Sequence, residues 1–197
     1  LEHVTKAAAE RGGFARLEPG ELEKILDQVV DQYMAAAMPG FEKRENRFKY
    51  LFRRLRKTVG VIVENVAEEL MESDFVPLEF ELGFGDGGKA PAITIRAAGA
   101  ELTVVGKVDR VDGWLKNGRL YLRVVDYKSG KKSFDLRDVC RGLNIQMLLY
   151  LFALEREGKA LFGQDIVPAG VLYLPARDVL VNQPRDVDAK TLRLALD

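Results

Sequence analysis

The chain has 197 residues, with 30 Lys plus Arg against 30 Asp plus Glu, so it is formally neutral at pH 7, and 47% of it is apolar. That length suits a single domain, and the composition is that of a folded globular chain, which excludes disordered and collagenous classes. A single cysteine, Cys140, excludes an internal disulfide framework and any all-cysteine metal site built from these residues alone, and it fits a reducing, cytoplasmic compartment. No apolar run approaches the roughly 18–20 residues that span a bilayer, and the opening LEHVTKAAAERGG has no signal-peptide core, so no membrane association is expected. The first residue is Leu1 rather than Met, and the expectation is a domain excised from something longer.

From Pro19 onward, the spacing of Leu22, Ile25, Leu26, Val29, Val30 and Tyr33 predicts an amphipathic helix that Pro39-Gly40 ends. A longer helix is predicted from Phe41 to about Glu72, with Phe48, Leu51, Phe52, Leu55, Val59, Ile62, Val63, Val66 and Leu70 on one face. Its charges are segregated. Residues 43–57 hold Lys43, Arg44, Arg47, Lys49, Arg53, Arg54, Arg56 and Lys57 against Glu45 alone, whereas residues 58–81 hold seven acids and no base. Arg44, Arg47, Arg53, Arg54 and Lys57 are candidate contacts to a phosphodiester backbone, and a solvated helix face explains the same run.

Leu78, Phe80, Leu82 and Phe84 alternate with Glu79, Glu81 and Gly83, the pattern of a half-buried strand, and Ile93 and Ile95 mark another. Two extended runs then flank Asn117-Gly118, a strong hairpin signal. If these two residues are the centre of a type I′ turn, opposed residues have numbers summing to 235, which sets Asp109 against Asp126 on a face shared with Val111, Leu122 and Val124. Like charges directly opposed destabilise a strand pair. Lys128, two residues beyond Asp126, shares that face. Two carboxylates beside an ammonium suit a hard divalent cation, Mg²⁺ or Mn²⁺, and a water nucleophile; an ordinary ion pair on a solvated face, or a register slipped by one, is the alternative.

Beyond SGKKSFD, helical periodicity runs from about Leu136 to Glu157 with Gly158 as its cap, Cys140 reads as a buried thiol within it, and AGVLYL, ending at Pro175, predicts a last strand. SGKKS is not a phosphate-binding P-loop, because Val125 and Lys132 stand where that motif needs Gly and Ser or Thr. The whole reads as one α/β domain: residues 1–74 mainly helical, 75–175 an α/β core with a mixed sheet, and 176–197 the start of a further extension.

Taken together, GKVDRVDGW, VVDYKSG and a helix carrying QMLLY resemble the nuclease domain of the PD-(D/E)XK superfamily in its RecB-like branch. Within that branch they look most like the C-terminal nuclease domains of the AddB family of bacterial helicase–nuclease subunits. The resemblance covers Leu78 to Tyr173 in detail and the preceding helices more loosely. It implies a restriction-endonuclease-like core, α-β-β-β-α-β, flanked by helices and preceded by a helical extension. It also implies Mg²⁺- or Mn²⁺-dependent hydrolysis of DNA, of single strands by an exonuclease, beside an AddA-like partner in double-strand-break repair and recombination.

By the same resemblance Asp109, Asp126 and the backbone carbonyl of Tyr127 hold the metal, Lys128 is the catalytic lysine, and Gln146 and Tyr150 border the site from one helix face. A core Tyr beside a satisfied Gln is the plainer reading of that last pair. Glu81 stands where relatives often carry an acid near the metal, and reads equally as a solvent-facing residue. The family's first motif is a ligand His on the opening helix; the resemblance places it ahead of Leu1 in preference to His3, the one His present. AddB-type relatives often carry a four-cysteine iron–sulfur staple, whose cysteines would lie outside this segment. The competing readings are a non-catalytic module of the same fold that binds DNA or docks a partner, and a CRISPR-associated RecB-like exonuclease.

Overall fold

In the computed structural model, which describes residues 1–40, 46–97, 99–128 and 135–175, the chain opens on three helices, α1 (Glu2–Glu10), α2 (Glu21–Ala37) and α3 (Asn46–Met71). Arg44, the SGKK turn and the extension expected from residue 176 lie outside the described residues. Val4, Ala8, Phe14, Ile25, Val63 and Ala67 form a buried cluster that joins α1 and α2 to the C-terminal half of α3. The N-terminal half of α3 departs from its predicted face: Phe48, Leu51 and Leu55 are exposed, as is Tyr33 of α2. One partner helix covers one flank of a stripe, and α2 lies against the flank that holds Phe52 and Arg56.

The strands are β1 (Val76–Phe84), β2 (Ile93–Ala97), β3 (Ala100–Val104), β4 (Gly106–Lys116), β5 (Arg119–Lys128) and β6 (Asp165–Pro175). A four-stranded sheet runs in the order β1-β4-β5-β6, antiparallel except for the parallel pair β5 and β6, and β2 with β3 forms a separate two-stranded ribbon. Between β5 and β6 lie α4 (Leu136–Cys140) and α5 (Gln146–Phe162). The expected mixed sheet flanked by helices is thus present, in the order α3-β1-β4-β5-α5-β6, with the ribbon inserted after β1.

The single helix expected from Leu136 to Glu157 is two. Gly142 and Asn144 adopt left-handed conformations, with φ of 76° and 55°, and these cannot continue a right-handed helix. Because α4 is only five residues long, Cys140 ends it exposed rather than buried. α5 runs on to a cap at Gly163, and Gly158, expected as that cap, lies buried inside the helix beside Ile166.

The two faces of the sheet differ. Val111, Leu122 and Val124 pack with Met147, Tyr150, Leu151 and Leu154 of α5 in the main core, each such buried side chain contributing roughly 1.5–3 kcal/mol. The opposite face carries Arg110, Asp112 and Arg123, which meet Glu69 of α3. Among the described residues no helix is long and apolar enough to cross a membrane.

Candidate functional site

The site begins at the β4–β5 turn. Asn117 and Gly118 have φ of 52° and 73°, as a type I′ turn requires. From it the ladder runs from Lys116↔Arg119 to Arg110↔Val125, every pair summing to 235. Continuing that register by one pair would set Asp109 against Asp126, just beyond the last pair the ladder makes. There the Asp109 carboxylate accepts a hydrogen bond from the Tyr127 backbone N–H at 2.9 Å, and Lys128 Nζ stands 2.6 Å from Asp126 Oδ2. Each carboxylate thus has its own partner, a peptide donor for Asp109 and an ammonium for Asp126. Asp126 Oδ2 is buried and receives no aligned hydrogen bond, so the attraction of Lys128 is electrostatic and the oxygen keeps lone pairs for another partner.

Glu81, at φ 53°, falls in the same row across β1, between the pairs Phe80↔Arg110 and Leu82↔Val108. Its side chain is exposed and ion-paired with Lys107, and the hydrogen bond to Glu81 raises the Lys107 pKa. His3 lies on the exposed side of α1, whose buried residues are Val4, Thr5 and Ala8. Among the described residues no group of three or more His, Cys, Asp or Glu converges as a metal cage. Two carboxylates and a main-chain carbonyl nonetheless fit Mg²⁺, which binds through one or two carboxylates and keeps several waters. The buried, unaligned Asp126 Oδ2 is the feature that best suits such an ion.

Gln146 and Tyr150 share one face of α5, and Gln146 Nε2 donates to Tyr150 Oη at 2.9 Å. Tyr150 is buried and stacks on Phe84 with ring centroids 4.9 Å apart. Its hydroxyl lies against Gly106, where any Cβ would overlap it, so the glycine three residues before Asp109 is a requirement of close packing. Lys128, Asn144, Gln146, Met147 and Tyr173 are among the residues lining a cavity of about 280 Å³. Tyr173 is not legible as a site residue in the sequence. It pairs with Asp126 across the parallel β5–β6 ladder, and burial together with the charge of Asp126 raises its pKa. On α3, Arg47, Arg53, Arg54 and Lys57 are exposed, while Arg56 is held by Asp27.

Behind the site lies a buried polar network that the motifs do not announce. Arg110 Nε is 2.7 Å from Asp112 Oδ1, Arg123 Nε donates to Asp112 Oδ2 at 2.9 Å, and Glu69 receives Arg123 at 2.5 Å and Arg110 at 3.2 Å. Arg110 also donates to the Tyr127 hydroxyl at 2.8 Å. Burial opposes the charge on Arg110, but Asp112, Tyr127 and Glu69 outweigh it and hold the guanidinium pKa above its ordinary value. One signal of it is present in the sequence: the same sum of 235 sets Asp112 against Arg123.

A family model, PD-(D/E)XK nuclease superfamily, matches residues 1–195. Among curated proteins, the B subunit of the ATP-dependent helicase/deoxyribonuclease of Caldanaerobacter subterraneus subsp. tengcongensis is 38% identical over 173 residues, 85% of this chain and 14% of that protein. The corresponding protein of Acetivibrio thermocellus is 36% identical over 184 residues, 92% of this chain and 16% of its own length. That of Thermoanaerobacter sp. is 34% identical over 196 residues, 98% and 17%. The chain therefore spans only 14–17% of the length of these relatives. With an acid pair and a lysine at one hairpin end, a mixed sheet behind them and a family match reaching almost end to end, the chain belongs to the PD-(D/E)XK nuclease superfamily.

Proposed function

We propose that this chain is the nuclease domain of a helicase–nuclease protein of the AddB type, hydrolysing DNA phosphodiester bonds with Mg²⁺ or Mn²⁺. The observation that carries the reading is the grouping at the end of the hairpin, where Asp109 accepts from the Tyr127 N–H at 2.9 Å and the adjacent residue, Asp126, lies 2.6 Å from Lys128 Nζ. Asp109, Asp126 and the Tyr127 carbonyl would hold the cation, whose chemistry is to polarise a phosphate oxygen and acidify a water. The Tyr127 N–H fixes the Asp109 carboxylate. Asp126 holds the Lys128 ammonium at the edge of the cavity, where it orients the attacking water and neutralises charge building on the phosphate. Gln146, exposed at the start of α5, gives one N–H to Tyr150 and keeps its amide oxygen to position water or substrate.

The exposed Arg47, Arg53, Arg54 and Lys57 supply a track for a DNA backbone. The names of the relatives, which describe the B subunit of ATP-dependent helicase/deoxyribonucleases, support a DNA substrate, a helicase motor and a partner subunit, which we read as AddA-like; the single-stranded substrate, exonucleolytic cleavage and cytoplasmic role in break repair are our reading from the motif resemblance. We read residues 1–197 as one domain, its helical part tied to the sheet through Glu69.

The test is degradation of a labelled single-stranded oligonucleotide with and without Mg²⁺ or Mn²⁺, by the wild type and by Asp126→Ala and Lys128→Ala. The expected result is metal-dependent cleavage that falls roughly a hundredfold or more in each variant. Undiminished cleavage in both overturns the assignment of the site, and a wild type that neither cleaves nor takes up Mn²⁺ points to a binding or docking module instead.

A further inference from the structure

Arg110 and Asp112 are fully buried, 0% exposed, on the face of the sheet opposite the main core. Removing two charges from water is costly, and an apolar pair of similar volume is often no less stable. Stability alone therefore does not account for the placement. Arg110 follows Asp109 directly, and Tyr127 lies between Asp126 and Lys128.

Tyr127 is tied from both sides of the sheet. On the side of the acid pair its backbone N–H donates to Asp109 at 2.9 Å; on the other, its hydroxyl accepts from Arg110 at 2.8 Å. A displacement of the Tyr127 backbone that carried its Cα with it would strain both bonds. Arg110 is itself held: its Nη2 donates to Asp112 at 2.9 Å and to Glu69 of α3 at 3.2 Å, and its Nε lies 2.7 Å from the other Asp112 oxygen as an ion pair without hydrogen-bond alignment. A guanidinium presents its donors in a rigid fork, so holding two edges fixes the direction of the third.

The geometry points to Arg110 as a positioning residue: braced by Asp112 and Glu69, it locks the Tyr127 phenol and thereby holds the Tyr127 backbone, whose N–H orients Asp109 and whose carbonyl, in the next peptide, would be offered to the cation. This rests on the metal-dependent reading of the site given above. Partners of this kind, one step removed from the ligands, are typically worth about 10- to 100-fold in metal affinity.

The test compares Mn²⁺ affinity, measured on the full chain by the electron paramagnetic resonance signal of free Mn²⁺, with thermal melting and with kcat and KM on an oligonucleotide. Tyr127→Phe keeps the ring and removes only the acceptor of the Arg110 bond, so it stays informative where Arg110→Met fails to fold. Arg123→Met is the control, because it breaks contacts to Asp112 and Glu69 and leaves Tyr127 bonded to Arg110.

The expected result is a roughly tenfold weaker Mn²⁺ dissociation constant in Tyr127→Phe, with KM for DNA unchanged and kcat largely recovered at saturating Mn²⁺. Arg110→Lys, which loses the fork, weakens Mn²⁺ at least as much, whereas Arg123→Met lowers the melting temperature and leaves Mn²⁺ affinity as in the wild type. Wild-type affinity in Tyr127→Phe, alongside lost affinity in Asp109→Asn, overturns the positioning role while the site stands. Unchanged affinity in Asp109→Asn removes the site itself, and the positioning role with it.

Discussion

At Gly106 a single hydrogen stands where any other residue would place a carbon, and the Tyr150 hydroxyl occupies that space. Gly106→Ala should overpack this contact and cost about 1–3 kcal/mol, read as a lower urea midpoint at unchanged slope. Tyr150→Phe in the same chain removes the obstructing oxygen and should restore part of the loss, a non-additivity that a double-mutant cycle measures. Asp112→Ala should cost more, about 3–5 kcal/mol, because it leaves the buried Arg110 beside Arg123 with one carboxylate fewer; equilibrium unfolding in urea checks it. Among single residues, Asp109, Asp126 and Lys128 are legible because a two-residue turn fixes register by arithmetic, and all three lie within twelve residues of that turn. Tyr173 is not, since its place beside Asp126 depends on a parallel pairing made after a helix, which no local rule encodes. Cys140 reads as buried only because helical spacing continues across a turn.

That last difference is one of element boundaries. Val139, Leu143 and Met147 keep a four-residue spacing from α4 into α5, so periodicity alone does not show the break that Gly142 and Asn144 impose. The long helix α3 is legible from its spacing, yet its apolar stripe overstates its burial. Ile62, Val63, Val66 and Ala67 are buried, whereas Phe48, Leu51 and Leu55 are exposed. Helical backbone with few buried contacts opens more readily than backbone under a core. Hydrogen exchange should therefore be slower by about two orders of magnitude or more over residues 62–67 than over 47–55, and uniform protection along α3 would contradict this division. The two halves also differ in electrostatic work: Glu69 ties the acidic half to Arg110 and Arg123, while in the basic half Arg56 is tied to Asp27 and Arg47, Arg53, Arg54 and Lys57 are exposed.

For the molecule as a whole, zero net charge is a poor guide to partners. The basic residues of α3 are grouped on its N-terminal half and one acid of the other half is committed to the sheet, so the sum cancels without the surface being neutral. If the exposed stripe meets DNA, Arg53→Gln, Arg54→Gln and Lys57→Gln together should weaken single-strand binding. They should also flatten the dependence of log affinity on log salt by about 0.7 for each phosphate no longer neutralised, a change of about 2 in slope. Fluorescence anisotropy across a salt series measures it, and an unchanged slope places the DNA elsewhere. The α/β class, the mixed sheet and the order of its core elements are legible from alternation, turn chemistry and helical spacing. The separate β2–β3 ribbon is not, because a break at the single residue Val105 divides an otherwise continuous extended run.

The parallel pairing of β5 with β6 also imposes an order of assembly. A hairpin closed by a two-residue turn forms locally and within microseconds, so Asp109 and Asp126 can meet as soon as β5 has left the ribosome. The wall of the cavity contributed by Tyr173 comes 47 residues after Asp126 and must wait for α5 to cross over the sheet. During synthesis the acid pair is therefore complete well before the surface that would seat a nucleic acid beside it. A nascent chain halted at Gly163 should hold the hairpin register and lack nuclease activity.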